Sequence, residues 1–411
     1  MSLRRVAFGV GICALGALTS CSGVRDPKAT SYAVYAGGGD LSRAGRGALR
    51  VLWRKELTPS RRGNYRPFEN AVPAIDVAHG RVYVGAASGN LHALSFEGKP
   101  LYRFELHDSI ESEPVLDVDA DELYVGNERG ELYAFTPSTG KIRWKIETGG
   151  VLRRQPVLFR DAVYFVTEDD VVEGRARADG ALLWSYKRDR VEGFLVTGHA
   201  SLRLTDDGRL LTAFNDGTVV MLDALDGKAK WERTTSSDVP ETDPGRPRYV
   251  DTDATPVVVG DHVYAASFGA GLYCLERRNG SVVWRAPEWT GVTGIAATDD
   301  GALILVSADR GVARFDPETR RAVWVKNTER GSFGTPEHHQ GLVVLGDSRG
   351  SLVALDAGDG TELGRIDAGH GFLARAALSD GRGFVLTNGG TLLAMRIAGH
   401  SAESSTDASP R

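Results

Sequence analysis

Apolar residues fall in short alternating runs, each closed by Gly, Asp, Asn or Ser. Gly80–Gly85 (G-R-V-Y-V-G) is followed by Ser88-Gly89-Asn90 and then Leu91–Leu94. The same order returns at Leu123–Gly126 with Leu132–Phe135, and at Leu342–Gly346 with Leu352–Leu355. A period of two bounded by turn residues predicts short strands joined by tight hairpins, and no stretch carries the 3.6-residue period of a helix. In Ala134–Trp144 (A-F-T-P-S-T-G-K-I-R-W) one strand ends at Phe135, Thr136 to Gly140 turn the chain, and a second strand runs to Trp144. Pro137 presets φ in that turn, and Gly140 is free to take φ > 0.

The unit recurs. Pro156–Trp184, Leu210–Trp231, Val257–Trp284 and Ala302–Trp324 show the same order of apolar run, turn, apolar run, turn, Trp. The aromatic that closes each repeat falls at Trp53, Tyr102, Trp144, Trp184, Trp231, Trp284 and Trp324, and then at Gly364, where the pattern calls for Trp. This spacing of roughly 40–50 residues is that of a four-stranded propeller blade. An earlier strand in many repeats opens on Pro, at Pro73, Pro114, Pro156 and Pro256. These are read as innermost strands, with Pro at the strand start, where no ladder hydrogen bond is lost. The fold expected is all-β: an eight-bladed propeller of four-stranded antiparallel blades. Leu49–Lys55 has no blade before it, and Gly383–Leu386 with Thr391–Ile397 have no Trp strand after them. Pairing the two completes an eighth blade and removes two open sheet edges. The closing aromatics are assigned to docking between blades.

The first 20 residues read as a secretory signal: Arg4-Arg5, then an apolar run over Val6–Leu18 that is too short to span a membrane. Leu18-Thr19-Ser20-Cys21 resembles the bacterial lipoprotein box, which implies cleavage before Cys21 and acylation of that residue. Arg4-Arg5 also has a faint likeness to a twin-arginine signal, though the residues that follow fit it poorly. The domain reading is signal 1–20, lipidated flexible tether 21–48, propeller 49–398 and disordered tail 399–411.

Composition adds exclusions. The 411 residues carry a net charge of −5, so nothing favours nucleic acid as a partner. Cys13, Cys21 and Cys274 are too few and too scattered for a disulfide framework or a zinc site. His338-His339 is the best-looking metal pair, but adjacent side chains on extended backbone point opposite ways, and it is read as a loop pair before a strand. Asp206-Asp207-Gly208, Asp299-Asp300-Gly301 and Asp347–Gly350 fall where hairpin turns are required, so turn chemistry accounts for them.

The A-x-(D/T)-x-x-T-G-K-x-x-W pattern at Ala134–Trp144, with a close copy at Asp223–Trp231, resembles the tryptophan-docking repeat of quinoprotein-like propellers. Arg248–Val258 and Val344–Leu352, together with blade count, split blade and lipoprotein box, resemble the BamB family of outer-membrane assembly factors over about residues 49–398. Ser22 is not the Asp that usually retains proteobacterial lipoproteins at the inner membrane. The resemblance therefore implies a lipid anchor in the outer membrane, on the periplasmic face. It further implies a scaffold of the β-barrel assembly machine, monomeric within a hetero-complex, that binds the POTRA domains of the central barrel protein BamA.

The longest interval between closing aromatics holds the polar insertion Arg233–Tyr249. By resemblance the partner-binding residues are Glu241, Asp243, Arg248, Asp251 and Asp253. Asp251 and Asp253 are expected to project to one side, where either Arg248 neutralises them within the loop or a partner's basic residue does. Many quinoprotein-like propellers are dehydrogenases that hold a quinone over calcium in the central funnel, usually near a disulfide of adjacent cysteines. This chain has no Cys-Cys pair, and the expectation is no enzyme activity, no cofactor and no metal. The alternative of another class is a periplasmic quinone- or ligand-binding propeller in oxidation or sensing.

Overall fold

A computed structural model describes residues 46–58, 69–188, 200–239, 249–327, 331–368 and 371–398. The signal, Cys21, most of the tether and the tail 399–411 lie outside the described residues. Eight antiparallel sheets follow one another around a ring, and the innermost strands of neighbouring blades pack on each other around the axis. Blades 1 to 7 begin at Ala74, Val115, Val157, Arg203, Val257, Val292 and Glu337 and run outward in chain order. In blades 1, 2, 3 and 5 the residue before the innermost strand is the expected Pro.

The eighth blade is split as expected. Ala377–Ser379, Arg382–Leu386 and Thr391–Ile397 supply its three inner strands, and Leu49–Glu56 supplies the outermost one. Its register runs from Leu49 opposite Ile397 to Glu56 opposite Thr391. Leu49 and Val51 are buried with Leu342, Ile366, Val385 and Met395 in a core that spans blades 7 and 8.

Two features go beyond the sequence reading. Each outermost strand carries a β-bulge just before its closing position, at Leu52, Leu101, Arg143, Leu183, Lys230, Val283, Val323 and Leu363. One extra residue bends the strand and re-aims the next side chain. That turns the aromatic toward the following blade and leaves Leu101, Leu183 and Val323 exposed at the rim. The second feature is a strand, Arg46–Gly47, at the end of the expected tether. It adds to blade 7 as a fifth strand, with Gly47 opposite Gly364. Gly47 has φ +65°, and a Cβ there would run into the Leu363 carbonyl.

Each docking aromatic reaches the turn between the third and fourth strands of the next blade. The indole N–H groups of Trp53, Trp144, Trp184, Trp231 and Trp324 donate to the carbonyls of Phe96, Arg177, Ala224, Arg277 and Ala357, at 2.6, 2.9, 2.9, 2.8 and 3.1 Å. The Tyr102 hydroxyl donates to Pro137 at 2.7 Å. The aromatic ring then lies against the left-handed residue of that turn, usually Gly. For Trp284 that residue is Arg320, at φ 58°, whose guanidinium sits 5.7 Å from the ring centre. Gly364 breaks the series because blade 8 has no such turn: its fourth strand comes from the other end of the chain.

Candidate partner-binding face

Antiparallel order sends the connections between blades, and the turns between second and third strands, to one face of the ring. Among the described residues, the opposite face holds the tight first hairpins and the docking turns. The described ends of the three longest connections, 57–73, 188–202 and 235–256, lie on the first face, and the last two connections join blade 4 to its neighbours. Loop insertions on one face of a repeat fold build binding sites.

On this loop face four side chains from consecutive connections and turns converge. Glu111 comes from 106–114, Glu128 from the turn 127–130, Arg153 from 148–156 and Glu168 from the turn 167–170. Leu152 is buried beneath, its side chain where a Cβ on Gly126 would lie, and this sets Arg153 over the turn of blade 2. The Arg153 guanidinium donates to Glu128 at 2.8 Å and lies 3.4 Å from Glu111 and 3.8 Å from Glu168. The three carboxylate side chains keep 19, 25 and 21% of their surface open. Burial, and then the charge of Glu128, push the Glu111 carboxyl up to about 7.

That shift sets a sign. A carboxyl raised in the folded state binds more protons than its unfolded counterpart between about 4.5 and 7. Its contribution to stability is present at low pH and lost as pH rises through that window. Glu111→Gln is therefore expected to gain thermal stability over the wild type at pH 8 relative to pH 5. Melts of both proteins at the two pH values check this, and an equal difference at both overturns it.

Arg154, the residue after Arg153, is half-buried. Burial lowers its pKa, opposed by the charges of Glu168 and Asp253 and, more weakly, Glu111. Its Nε is shut off from solvent and has no hydrogen-bond partner among the described residues. Deeper in the channel Arg375 of blade 8 spans two other blades, reaching Glu337 of blade 7 and Glu113 of blade 2, each at 2.5 Å. Burial raises the Glu113 pKa, and Arg375 opposes the rise. Arg203 on the innermost strand of blade 4 donates to the Pro256 carbonyl at 3.1 Å. An ion-paired chord thus runs from blade 7 through Arg375 of blade 8 to blade 2.

Glu241, Asp243 and Arg248 lie outside the described residues, as does Cys21. The carboxylates of the described pair are turned inward rather than toward solvent. Asp251 is fully buried, and both carboxylate oxygens of Asp253 are out of reach of solvent. Both residues are engaged within the chain. The physical reason is the descent of 249–256 into the ring to start blade 5, which carries these side chains inward.

His338-His339 is not a loop pair: it lies in the innermost strand of blade 7, Glu337–His339. The rings do face opposite ways, His338 Nδ1 3.8 Å from Asp299 of blade 6 and His339 Nε2 3.7 Å from Asp380 of blade 8. The three Asp-containing turns are hairpin turns. Cys274 is buried, and burial raises its thiol to about 11. Among the described residues no group of three His, Cys, Asp or Glu side chains is arranged to hold a metal ion.

Reading by residue type missed the cluster at Glu111, Glu128, Arg153 and Glu168. The signal was available in the repeat alignment: Glu128 and Glu168 occupy the same turn of successive blades, and Glu111 and Arg153 fall in successive inter-blade connections.

Comparison with known proteins agrees with the fold. The outer membrane protein assembly factor BamB of Shewanella oneidensis is 26% identical over 280 residues, covering 67% of this chain and 69% of that protein. Its counterpart from Escherichia coli (strain K12) is 25% identical over 342 residues, covering 80% and 84%. The crystal structure of BamB from Moraxella catarrhalis superposes with a TM-score of 0.70 at 21% identity, covering 85% of this chain and all of that one. The family profile described as outer membrane protein assembly factor BamB matches residues 111–326 and 308–401, well over half of the sequence. On this evidence the chain belongs to the outer membrane protein assembly factor BamB family.

Proposed function

We propose that this protein is a non-enzymatic, lipid-anchored scaffold of the outer-membrane β-barrel assembly machinery. It binds the periplasmic POTRA domains of the central barrel protein, BamA, through its loop face. The observation that carries the reading is family membership over most of the ring, joined to the two long connections that enter and leave blade 4. A rigid ring with its insertions gathered on one side suits a docking platform. The chord of Arg375, Glu113 and Glu337 across the channel, where the quinone enzymes of this fold hold their cofactor, suits a scaffold better than a funnel-bound ligand.

Glu241, Asp243 and Arg248 are assigned to contact with the partner, and Asp253 to the base of the same loop. Asp251, being buried, is assigned to holding that loop in place. The test is cross-linking in intact cells from a photoreactive residue at position 243, followed by partner identification. Recovery of the barrel-assembly protein is expected. A cross-linker placed at Glu318, on the opposite face, is expected to recover none. The converse result moves the site to the other face.

The anchor has its own test. One acyl chain binds a membrane only marginally, so stable attachment takes two or more. Cys21→Ser is expected to leave the propeller folded but soluble or unprocessed. Fractionation of that variant with the outer membrane at high salt would show that Cys21 is not the anchor.

A further inference from the structure

The outermost strands of the eight blades are equivalent by position, so their residues can be compared at fixed offsets from the closing position. Three residues before it stand Arg50, Lys99 and Lys141 in blades 8, 1 and 2, and one residue after it stand Arg54, Arg103 and Lys145. No other blade is basic at both offsets. Between the two, each of these strands exposes an apolar side chain, Leu52, Leu101 or Ile142. Glu56, Glu105 and Glu147 share one offset as well, at the loop-face end of the strands. Residues 49–56, 99–105 and 141–147 hold eight basic and three acidic side chains, in a chain whose net charge is −5.

Blades 8, 1 and 2 are consecutive around the closed ring, so the three strands form one band on its rim. Arg50, Lys99, Arg103 and Lys141 are exposed and make no ion pair or side-chain hydrogen bond among the described residues. Arg143 and Lys145, in contrast, are bonded to Glu122 and Glu131. Unneutralised cations with aliphatic side chains set among them match a surface that is anionic outside and apolar beneath. Where recognition depends on fixed geometry, Arg and Lys are not interchangeable. Here they alternate at both offsets, so the band reads charge rather than shape. A fluid lipid surface asks for no more than that, whereas a folded acidic protein presents its charges at fixed places.

The course of the chain points the same way. Arg46–Gly47 lies on the outer edge of blade 7 and leads directly into Leu49 of blade 8. Residues 21–45 therefore join the ring at one end of the band. These 25 residues reach at most about 80 Å when extended, which keeps the band close to any bilayer that holds Cys21.

We propose that the rim of blades 8, 1 and 2 docks on the anionic phospholipid surface of the membrane that carries the anchor. Arg50, Lys99, Arg103 and Lys141 lie among headgroup phosphates, and Leu52, Leu101 and Ile142 meet the boundary with the acyl chains. Lipidation joined to a basic patch is a two-signal attachment, stronger than either part, and each basic residue near an anionic leaflet adds to it. Docking by the rim stands the ring on edge. Its loop face then opens along the membrane, toward a partner embedded in the same bilayer. The inference rests on the reading of the chain as membrane-anchored and adds the orientation in which it is held.

Co-sedimentation with vesicles tests this on the full mature chain carrying Cys21→Ser, so that no acyl chain contributes. Vesicles of equal parts phosphatidylglycerol and phosphatidylethanolamine are expected to bind it, vesicles of phosphatidylcholine alone are not, and high salt is expected to release it. Arg50→Glu with Arg103→Glu and Lys141→Glu is expected to weaken binding to the anionic vesicles at least about tenfold. Arg278→Glu with Arg321→Glu and Arg349→Glu makes the same change in net charge on exposed residues of blades 5, 6 and 7 and is expected to leave binding unchanged. Thermal melts accompany both triple variants; if the first does not fold, Arg103→Glu is compared with Arg321→Glu instead. Equal losses in the two triple variants overturn the proposal, as does equal binding to neutral vesicles. Absence of binding to anionic vesicles overturns it too, and binding of polyglutamate in their place assigns the band to an acidic polypeptide. Binding to vesicles as expected, with Cys21→Ser still in the outer-membrane fraction of cells at high salt, sinks the anchor reading and leaves the band standing.

Discussion

Deletion of residues 21–56 is expected to give a protein that aggregates or unfolds without cooperativity. The deletion removes Leu49–Glu56 and so strips the outermost ladder from blade 8, from Leu49 opposite Ile397 to Glu56 opposite Thr391. It exposes Thr391–Ile397 as an open edge, the kind of template that pairs with other chains. It also takes the fully buried Leu49 and the nearly buried Val51 out of the core between blades 7 and 8, each worth about 1.5–3 kcal/mol of burial. Trp53 goes as well, with its hydrogen bond to Phe96 and its contact with Phe384. Deleting only 22–45 leaves Arg46–Gly47 and everything after it in place and is expected to cost little. Size-exclusion chromatography and melts of the two truncations decide the matter; equal stability would contradict a ring closed by the N-terminal strand.

Trp231→Ala is expected to lose about 3–5 kcal/mol of stability, the range for emptying a large aromatic site in a core. Trp231 is 7% exposed, donates to the Arg277 carbonyl at 2.8 Å and lies against Gly280 of the next blade. Trp231→Phe keeps most of the ring but strands that carbonyl, and a further loss of about 1 kcal/mol is expected for the unmade bond. Gly280 has φ +69°, and a Cβ there would press into the indole. Gly280→Ala should therefore cost more in the wild type than in the Trp231→Ala background, where only the backbone strain remains. A double-mutant cycle by urea unfolding measures the difference. Strict additivity would mean that the indole and the turn do not meet, and that docking between blades is not what this Trp does.

The sequence by itself determined the blade. Alternation with period two, turn residues at fixed offsets and Pro at the first residue before an inner strand are local signals, and each blade is built from local hairpins. The repeating aromatic made the count of eight readable, and the unpaired first and last strands made the closure readable. Tertiary structure decided what the aromatics touch. The bulge at residues such as Arg143 and Leu183 is a matter of register between two strands, which alternation alone leaves open. Gly364 looked like an exception in the repeat. It follows from the split of blade 8, which leaves no docking turn, and from the strand Arg46–Gly47 that pairs there instead.

The candidate site divides in the same way. The insertion after blade 4 was visible as extra length, but the burial of Asp251 was not, because burial depends on how 249–256 drops into the ring. Arg375 and Glu113 are 262 residues apart in the chain yet bonded in the channel. Glu111, Glu128, Arg153 and Glu168 meet only because neighbouring blades stack their loops on one face. Periodicity is a property of neighbours along the chain. A charge cluster is a property of neighbours across the ring, and only closure of that ring brings its members together.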